Sequence, residues 1–307
     1  MRISHHHQGT VPGAAFVDPQ VLSRIDNLEL VARFVVDGFI NGLHKSPYLG
    51  LSLDFAEHRA YMPGDDIRRI DWRLFARTDR YYVKEYEADT NANFIVLLDI
   101  SKSMDFGMKG LRKFDYARFL AASLVYFSNQ QRDRVGLMTF DNDLVDYVPC
   151  SAKHLNVVLH TIDRAQPERP GALGPALHKI AGTLSRRGVL VLISDFYEPV
   201  DAVLDAVKPL RYRGNDVVVF HVLDPAEIEF PYEEAGNFED LETGERIPIV
   251  PATQRAKYTE LVLGHVAQLG KRFANDQIDY SMFDTATPLD YALFQYLSNR
   301  LRLQKAR

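Results

Sequence analysis

Asp99, Ser101 and Ser103 form an Asp-x-Ser-x-Ser run directly after the apolar stretch Phe94–Leu98. One carboxylate and two hydroxyls are hard oxygen donors, and such donors suit a hard divalent cation, Mg²⁺ first. The alternate spacing lets both hydroxyls face one point while Asp99 supplies charge at the base of the loop. With so few protein charges around it, the ion stays electrophilic and can take a carboxylate from another molecule. Asp195 falls in a matching place, because the apolar run Gly188–Ile193 leads into Ser194-Asp195-Phe196. The candidate metal set is therefore Asp99, Ser101, Ser103 and Asp195. The alternative reading of the same residues is a polar loop that caps the next helix. Asp224, after the run Asp216–Leu223, is a third strand-end acid and is given no metal role.

These residues need strands that end side by side. From residue 93 the chain alternates apolar runs of strand length with amphipathic segments of helical period. Phe94–Leu98, Arg134–Phe140, Gly188–Ile193, Asp216–Leu223 and Ile278–Phe283 read as strands. Phe114–Phe127, Leu155–Ile162, Pro175–Leu184, Ala202–Leu210, a long segment after Pro251 and Pro288–Leu303 read as helices. Strands without polar alternation are buried on both faces, so the fold expected is α/β, a doubly wound, mostly parallel sheet flanked by helices. Ligands of such sheets bind beyond the carboxyl ends of the strands, where the Asp-x-Ser-x-Ser run lies.

The rest of the chain divides around that unit. Residues 1–17 read as a flexible tail, interrupted by Gly9, Pro12 and Gly13. Residues 18–92 read as an N-terminal helix followed by a small β-rich subdomain. Val21, Ile25, Leu28, Leu30, Val31, Phe34 and Val35 are expected on one apolar helix face. Residues 93–307 form the α/β domain, with an acidic hairpin inserted at about 226–250 and turning at Thr243-Gly244.

Composition narrows the function. Hydrophobic residues make up 46% and charged residues 25% of 307 residues, so the chain can bury a core. The net charge of −5 argues against a nucleic-acid surface. Cys150 is the single cysteine, which excludes an internal disulfide, fits a reducing compartment and reads as structural. His5, His6 and His7 read as part of the tail. No signal-peptide core and no run of about 18 apolar residues is present, so a soluble, cytoplasmic protein is expected. The Gly-x-Ser-x-Gly elbow, the phosphate-binding Gly-x-x-x-x-Gly-Lys loop and the dinucleotide Gly-x-Gly-x-x-Gly are all missing. A non-enzymatic binding role is expected. A Mg²⁺-dependent phosphoester hydrolase at Asp99 and Asp195 is the enzymatic alternative, and a metal-free binding scaffold the simpler one.

Leu97 to Met104 resembles the metal-ion-dependent adhesion site of von Willebrand factor A domains. Upstream, Asp54-Phe-Ala-Glu-His-Arg-Ala-Tyr-Met-Pro-Gly-Asp-Asp-Ile-Arg-Arg-Ile-Asp-Trp-Arg73, with Ala76-Arg77-Thr78 after it, resembles the signature of domain of unknown function 58. That bacterial and archaeal family joins this signature to a von Willebrand factor A-like domain. The resemblance spans about residues 27–283 and includes Ser194-Asp195-Phe196 and Asp224-Pro225-Ala226-Glu227. It implies a cytoplasmic adaptor or assembly factor that works with a MoxR-type AAA+ ATPase or a client protein, with Asp99, Ser101, Ser103 and Asp195 around Mg²⁺. These domains usually add a Thr from a second loop. Here the corresponding run is Arg169-Pro-Gly-Ala-Leu-Gly-Pro-Ala-Leu177, and the Thr position falls near Gly171. One hydroxyl is missing, which weakens the expected metal affinity. Asp65, Asp66, Asp71, Trp72, Arg73, Arg77 and Thr78 read as a buried ion-pair network or as a recognition surface.

Overall fold

A computed structural model of the protein describes residues 18–45, 57–61, 72–85, 92–108 and 110–305. The elements run α1 (Pro19–Leu22), α2 (Leu28–Lys45), β1 (Glu57–Ala60), α3 (Trp72–Thr78), β2 (Tyr82–Glu85), β3 (Asn93–Asp99), α4 (Lys113–Gln130), β4 (Arg134–Phe140), β5 (Leu144–Ser151), α5 (Leu155–Arg164), α6 (Leu173–Thr183), β6 (Val189–Ser194), α7 (Val200–Tyr212), β7 (Asp216–Leu223), α8 (Pro225–Glu229), β8 (Gly236–Glu239), β9 (Arg246–Ile249), α9 (Pro251–Asn275), β10 (Asp279–Asp284) and α10 (Leu289–Lys305). Of the signature run, residues 54–56 and 62–71 lie outside the described residues, as does the tail 1–17.

Six strands form one sheet in the order β10-β7-β6-β3-β4-β5. All neighbours are parallel except β4 and β5. This is a doubly wound, mostly parallel sheet flanked by helices, with β3 and β6 flanking the point where the strand order reverses. Strand alternation divides the core into two layers. Phe94, Val96 and Leu98 of β3 face α2, α4, α5 and α10, whereas Ile95 and Leu97 face α6, α7 and α9. The edge strand β5 ends at Ser151, one residue past Cys150. It carries Pro149 and an uneven burial pattern, both of which suit an edge where one ladder side faces solvent.

The N-terminal helix is narrower in its buried face than its sequence suggests. Leu28, Val31, Val35 and Phe39 are buried in the layer shared with α4 and α10, and Phe39 meets Phe127 edge-on at 6.0 Å. Leu30 and Phe34 are 55% and 54% exposed, and Val21 is 52% exposed. Leu30 and Phe34 fall on the face of α2 opposite Leu28, Val31 and Val35, and Val21 belongs to α1, which a break at residues 23–27 separates from α2. β1 and β2 pair antiparallel with α3 between them in sequence, and Phe75 of α3 stacks on Tyr81 at 4.6 Å. Among the signature residues described, Trp72 is 59% exposed and Arg77 is exposed. Neither is a buried network member. No helix among the described residues is long and apolar enough to cross a membrane.

Candidate functional site

β3 delivers Asp99 and β6 delivers Ser194 at adjacent strand ends, on the carboxyl side of the reversal point. The carboxylate of Asp99 is buried, and each of its oxygens accepts one hydrogen bond. Its Oδ1 accepts the amide proton of Ser101 at 2.8 Å, and its Oδ2 accepts the hydroxyl of Ser194 at 2.5 Å. Burial, with Asp195 nearby, pushes Asp99 up to about 7. Beyond Asp99 the chain enters a 3-10 turn over Lys102–Asp105, which brings the two serine hydroxyls to 3.1 Å from each other. Arg112 clamps the far end of that turn to α4, bonding Asp105 at 2.7 Å and Asp115 at 2.8 Å.

The second loop, 169–172, runs beside the first like a short parallel strand. Ser101 and Arg169 form a bridge, and the amide of Lys102 donates to the carbonyl of Arg169 at 2.8 Å. The approach is too close for a side chain at 171. A Cβ on Gly171 would lie 2.4 Å from the Cβ of Ser101. A threonine here would overlap the first loop, so the missing hydroxyl is a packing requirement. Glu198 then caps the start of α6 by accepting the amide proton of Leu173 at 2.7 Å.

Asp195 stands differently from Asp99. Its Oδ2 accepts from the ammonium of Lys113 at 2.8 Å, and the same ammonium donates to Glu227 at 2.8 Å. Lys113, the first residue of α4, is fully buried. Burial works against its charge, but Asp195 and Glu227 outweigh it and hold Lys113 above the usual lysine range. Burial holds Glu227 above the usual carboxylate range despite Lys113. The ring of Tyr197 lies 4.6 Å from the ammonium. Asp195 thus lines the same cavity as Asp99, but one of its oxygens is committed to this buried triad. Phe196 follows at φ 45°, a left-handed backbone unusual for a bulky residue. His265 Nε2 holds it there by donating to its carbonyl at 2.8 Å. Asp224 is the N-cap of α8, accepting from the Ala226 amide at 2.8 Å while Glu227 returns a bond to the Asp224 amide.

One residue at the site carried no signal in its sequence motif. Glu242, at the tip of the β8–β9 hairpin, reaches back over the Asp-x-Ser-x-Ser loop. Its Oε1 accepts the amide proton of Ser103 at 2.7 Å and its Oε2 that of Gly171 at 2.6 Å. The resulting cavity of roughly 60 Å³ is lined by Asp99, Ser101, Ser103, Gly171, Asp195 and Glu242 among others. One water needs about 10–15 Å³ of such space, so several waters or a hydrated ion fit.

The donor set fits a loosely held cation. Two oxygens bound side by side to octahedral Mg²⁺ at about 2.0–2.1 Å lie about 3.0 Å apart, and the two serine oxygens stand 3.1 Å apart. Mg²⁺ ordinarily takes one or two carboxylates and keeps waters for the rest. Among the described residues no group of three or more His, Cys, Asp or Glu side chains is gathered to hold a metal. Asp99, Ser101 and Ser103 would hold the ion, and Asp195 could contribute only its free oxygen. Cys150 is remote from this chemistry; burial pushes its thiol up to about 11.

The model of the family described as "Protein of unknown function DUF58" matches residues 57–268. An uncharacterized protein of Mycobacterium tuberculosis is 31% identical over 235 residues, which is 74% of this chain and 73% of its own. A Mycobacterium bovis protein matches to the same extent. Among solved structures, BatB from Bacteroides thetaiotaomicron is similar at TM-score 0.47 and 19% identity, over 69% of this chain and 99% of its own. The SpRpn10 VWA domain gives a TM-score of 0.40 at 13% identity, over 66% of this chain and 93% of its own.

Proposed function

Because the chain belongs to the family of proteins of unknown function DUF58, we propose that it is a non-enzymatic adaptor that binds a protein partner at the carboxyl edge of its sheet. The observation that carries this reading is the set of Asp99, Ser101 and Ser103 oxygens, which opens into a cavity beside the reversal point of the strand order. In this reading the three residues hold a Mg²⁺ ion. When bound, the ion supplies an open coordination position for a carboxylate of the partner. The protein's own groups do the rest. The Ser101 amide and the Ser194 hydroxyl orient Asp99, and the 3-10 turn fixes the two serines. Tyr197, 48% exposed at the rim, offers the kind of aromatic anchor that dominates binding surfaces.

The partner class that the family resemblance implies is a MoxR-type AAA+ ATPase or its client. The test is capture of such an ATPase from the same genome by the full chain, with Mg²⁺ or with a chelator, beside Asp99→Ala. At least tenfold weaker capture by Asp99→Ala and on chelation is expected. Equal capture in all arms would sink the reading.

A further inference from the structure

The hairpin of residues 236–249 makes little use of its own residues for packing. Most of its side chains are exposed, and only Phe238, Leu241, Glu242 and Ile249 are even half-buried. Phe238, in the second pair from the turn, fastens the hairpin to the domain, stacking on Phe230 at 5.4 Å and meeting Tyr232 edge-on at 4.8 Å. The tip is a built turn. Asp240 Oδ1 accepts from the amides of Glu242 and Thr243 at 2.8 and 3.2 Å, and the Gly244 amide donates to the Asp240 carbonyl at 2.7 Å. Gly244 takes φ 73°, which closes the turn without strain. The side chain that this turn lays over the site is Glu242.

We propose that Glu242 is an internal ligand of the site, holding the place at Ser103 N and Gly171 N where an acidic side chain of a partner binds, so that the partner engages only when the hairpin lifts. The inference rests on the reading that this edge binds a partner's carboxylate, and it names how access to it is controlled. Two backbone amides converge on one carboxylate at 2.6 and 2.7 Å, each contact short and charge-assisted. Gly171 makes the pairing possible, since any Cβ there would push the second loop off the first. The amides converge where the family pattern places a threonine. The cradle recognises a carboxylate through the amides alone, and a cation at Asp99, Ser101 and Ser103 would add to the same attraction. A tethered carboxylate competes at high effective concentration, so a free one must displace it. The partner chemistry is thus an aspartate or glutamate on an exposed loop, matching what Glu242 supplies from within.

The test uses the full chain, ¹⁵N-labelled, as wild type, Glu242→Ala and Glu242→Gln. The probe is sodium acetate, titrated against sodium chloride at matched ionic strength, and the readout is the amide resonances of Ser103 and Gly171. In Glu242→Ala these two amides should lose protection from exchange and shift saturably with acetate. The wild type should need at least tenfold more acetate, and Glu242→Gln should fall between. An equal acetate response in wild type and Glu242→Ala, or none in Glu242→Ala, overturns the proposal. Paramagnetic broadening by Mn²⁺ is read on the same samples. If Mn²⁺ leaves Ser101 and Ser103 unbroadened while the acetate response holds, the cation is removed and the internal ligand stands. If Mn²⁺ broadens them and acetate has no effect, the internal ligand alone falls.

Discussion

A Cβ built on Gly171 comes within 2.4 Å of the Cβ of Ser101, so the two loops of the site touch backbone to side chain with no room for a residue larger than glycine. Introducing the hydroxyl that the family pattern leads one to expect should therefore harm the site. Gly171→Thr is expected to destabilise the fold by about 1–3 kcal/mol, the usual cost of overpacking, and to weaken divalent binding. Denaturant midpoints and a Mn²⁺ titration check both. A gain in affinity would show that the loops can part.

Asp99 is the carboxylate that the cation reading relies on first, since the charge of Asp195 is shared with Lys113. Calorimetric titration of the metal-stripped protein with Mg²⁺ and Mn²⁺ should show saturable binding, and Asp99→Ala should weaken it at least tenfold. Asp195→Asn should weaken it less, because the charge of Asp195 is already paired with the Lys113 ammonium. Equal losses in the two variants would mean that Asp195 contributes as much as Asp99.

Removing the buried cation should be costly. Lys113→Met leaves Asp195 and Glu227 facing each other without compensation, and breaking a buried ion pair in this way costs about 3–5 kcal/mol. Adding Asp195→Asn and Glu227→Gln to Lys113→Met should recover much of the loss. Equilibrium unfolding of the single and triple variants measures it, and a mild single variant would mean that water reaches the triad.

His221 sets a pH dependence. It is buried, its Nδ1 is hydrogen-bonded to the Tyr280 hydroxyl at 2.7 Å, and burial pushes its pKa down to about 3. The unfolded chain takes up this proton below about 6.5, whereas the folded chain does not until about 3. The contribution of neutral His221 is complete above pH 6.5 and is lost as pH falls toward 3, at up to about 1.4 kcal/mol per unit. The stability difference between wild type and His221→Gln should therefore shrink with acidification from pH 7 to 4. A constant difference would mean that the ring gains its proton in the fold.

Helix α2 offers a direct check on its buried stripe. Leu28→Ala should cost about 2–5 kcal/mol, as for other buried leucines, and Leu30→Ala, two residues on, should stay within about 0.5 kcal/mol. Thermal or denaturant unfolding of the pair distinguishes them.

The α/β alternation was legible because β3, β6 and β7 are continuous apolar runs, a pattern that few other settings produce. The Asp99 loop was legible because the strand before it fixes where it must lie. Ser194-Asp195 was found for the same reason, but its partner was not. Lys113 opens an amphipathic helix, where a lysine ordinarily faces water, and nothing local says that two acids from distant segments close over it. Ser194 was noticed only as the neighbour of Asp195, since a serine that bonds Asp99 across two strands has no local mark. Glu242 was hidden for a geometric reason. The turn Asp240-Leu-Glu-Thr-Gly244 reads clearly as a hairpin tip, but its target lies 139 residues earlier at Ser103, and no periodicity reports that direction. Of the edge strand β5 only the end near Cys150 is legible, because Asp146 and Pro149 break its alternation.

The hairpin is fixed at Phe238 and holds the site at Glu242, so it works as a lever. From Phe238 to Glu242 is four residues, an arm of at most about 13 Å at the usual rise per residue. A rotation of about 15° at the aromatic pivot would carry the tip about 3 Å, further than either amide contact can stretch. Force applied to the exposed arms, far from Asp99, would therefore be delivered at Gly171, and a substitution at Phe238 would loosen the latch without touching it.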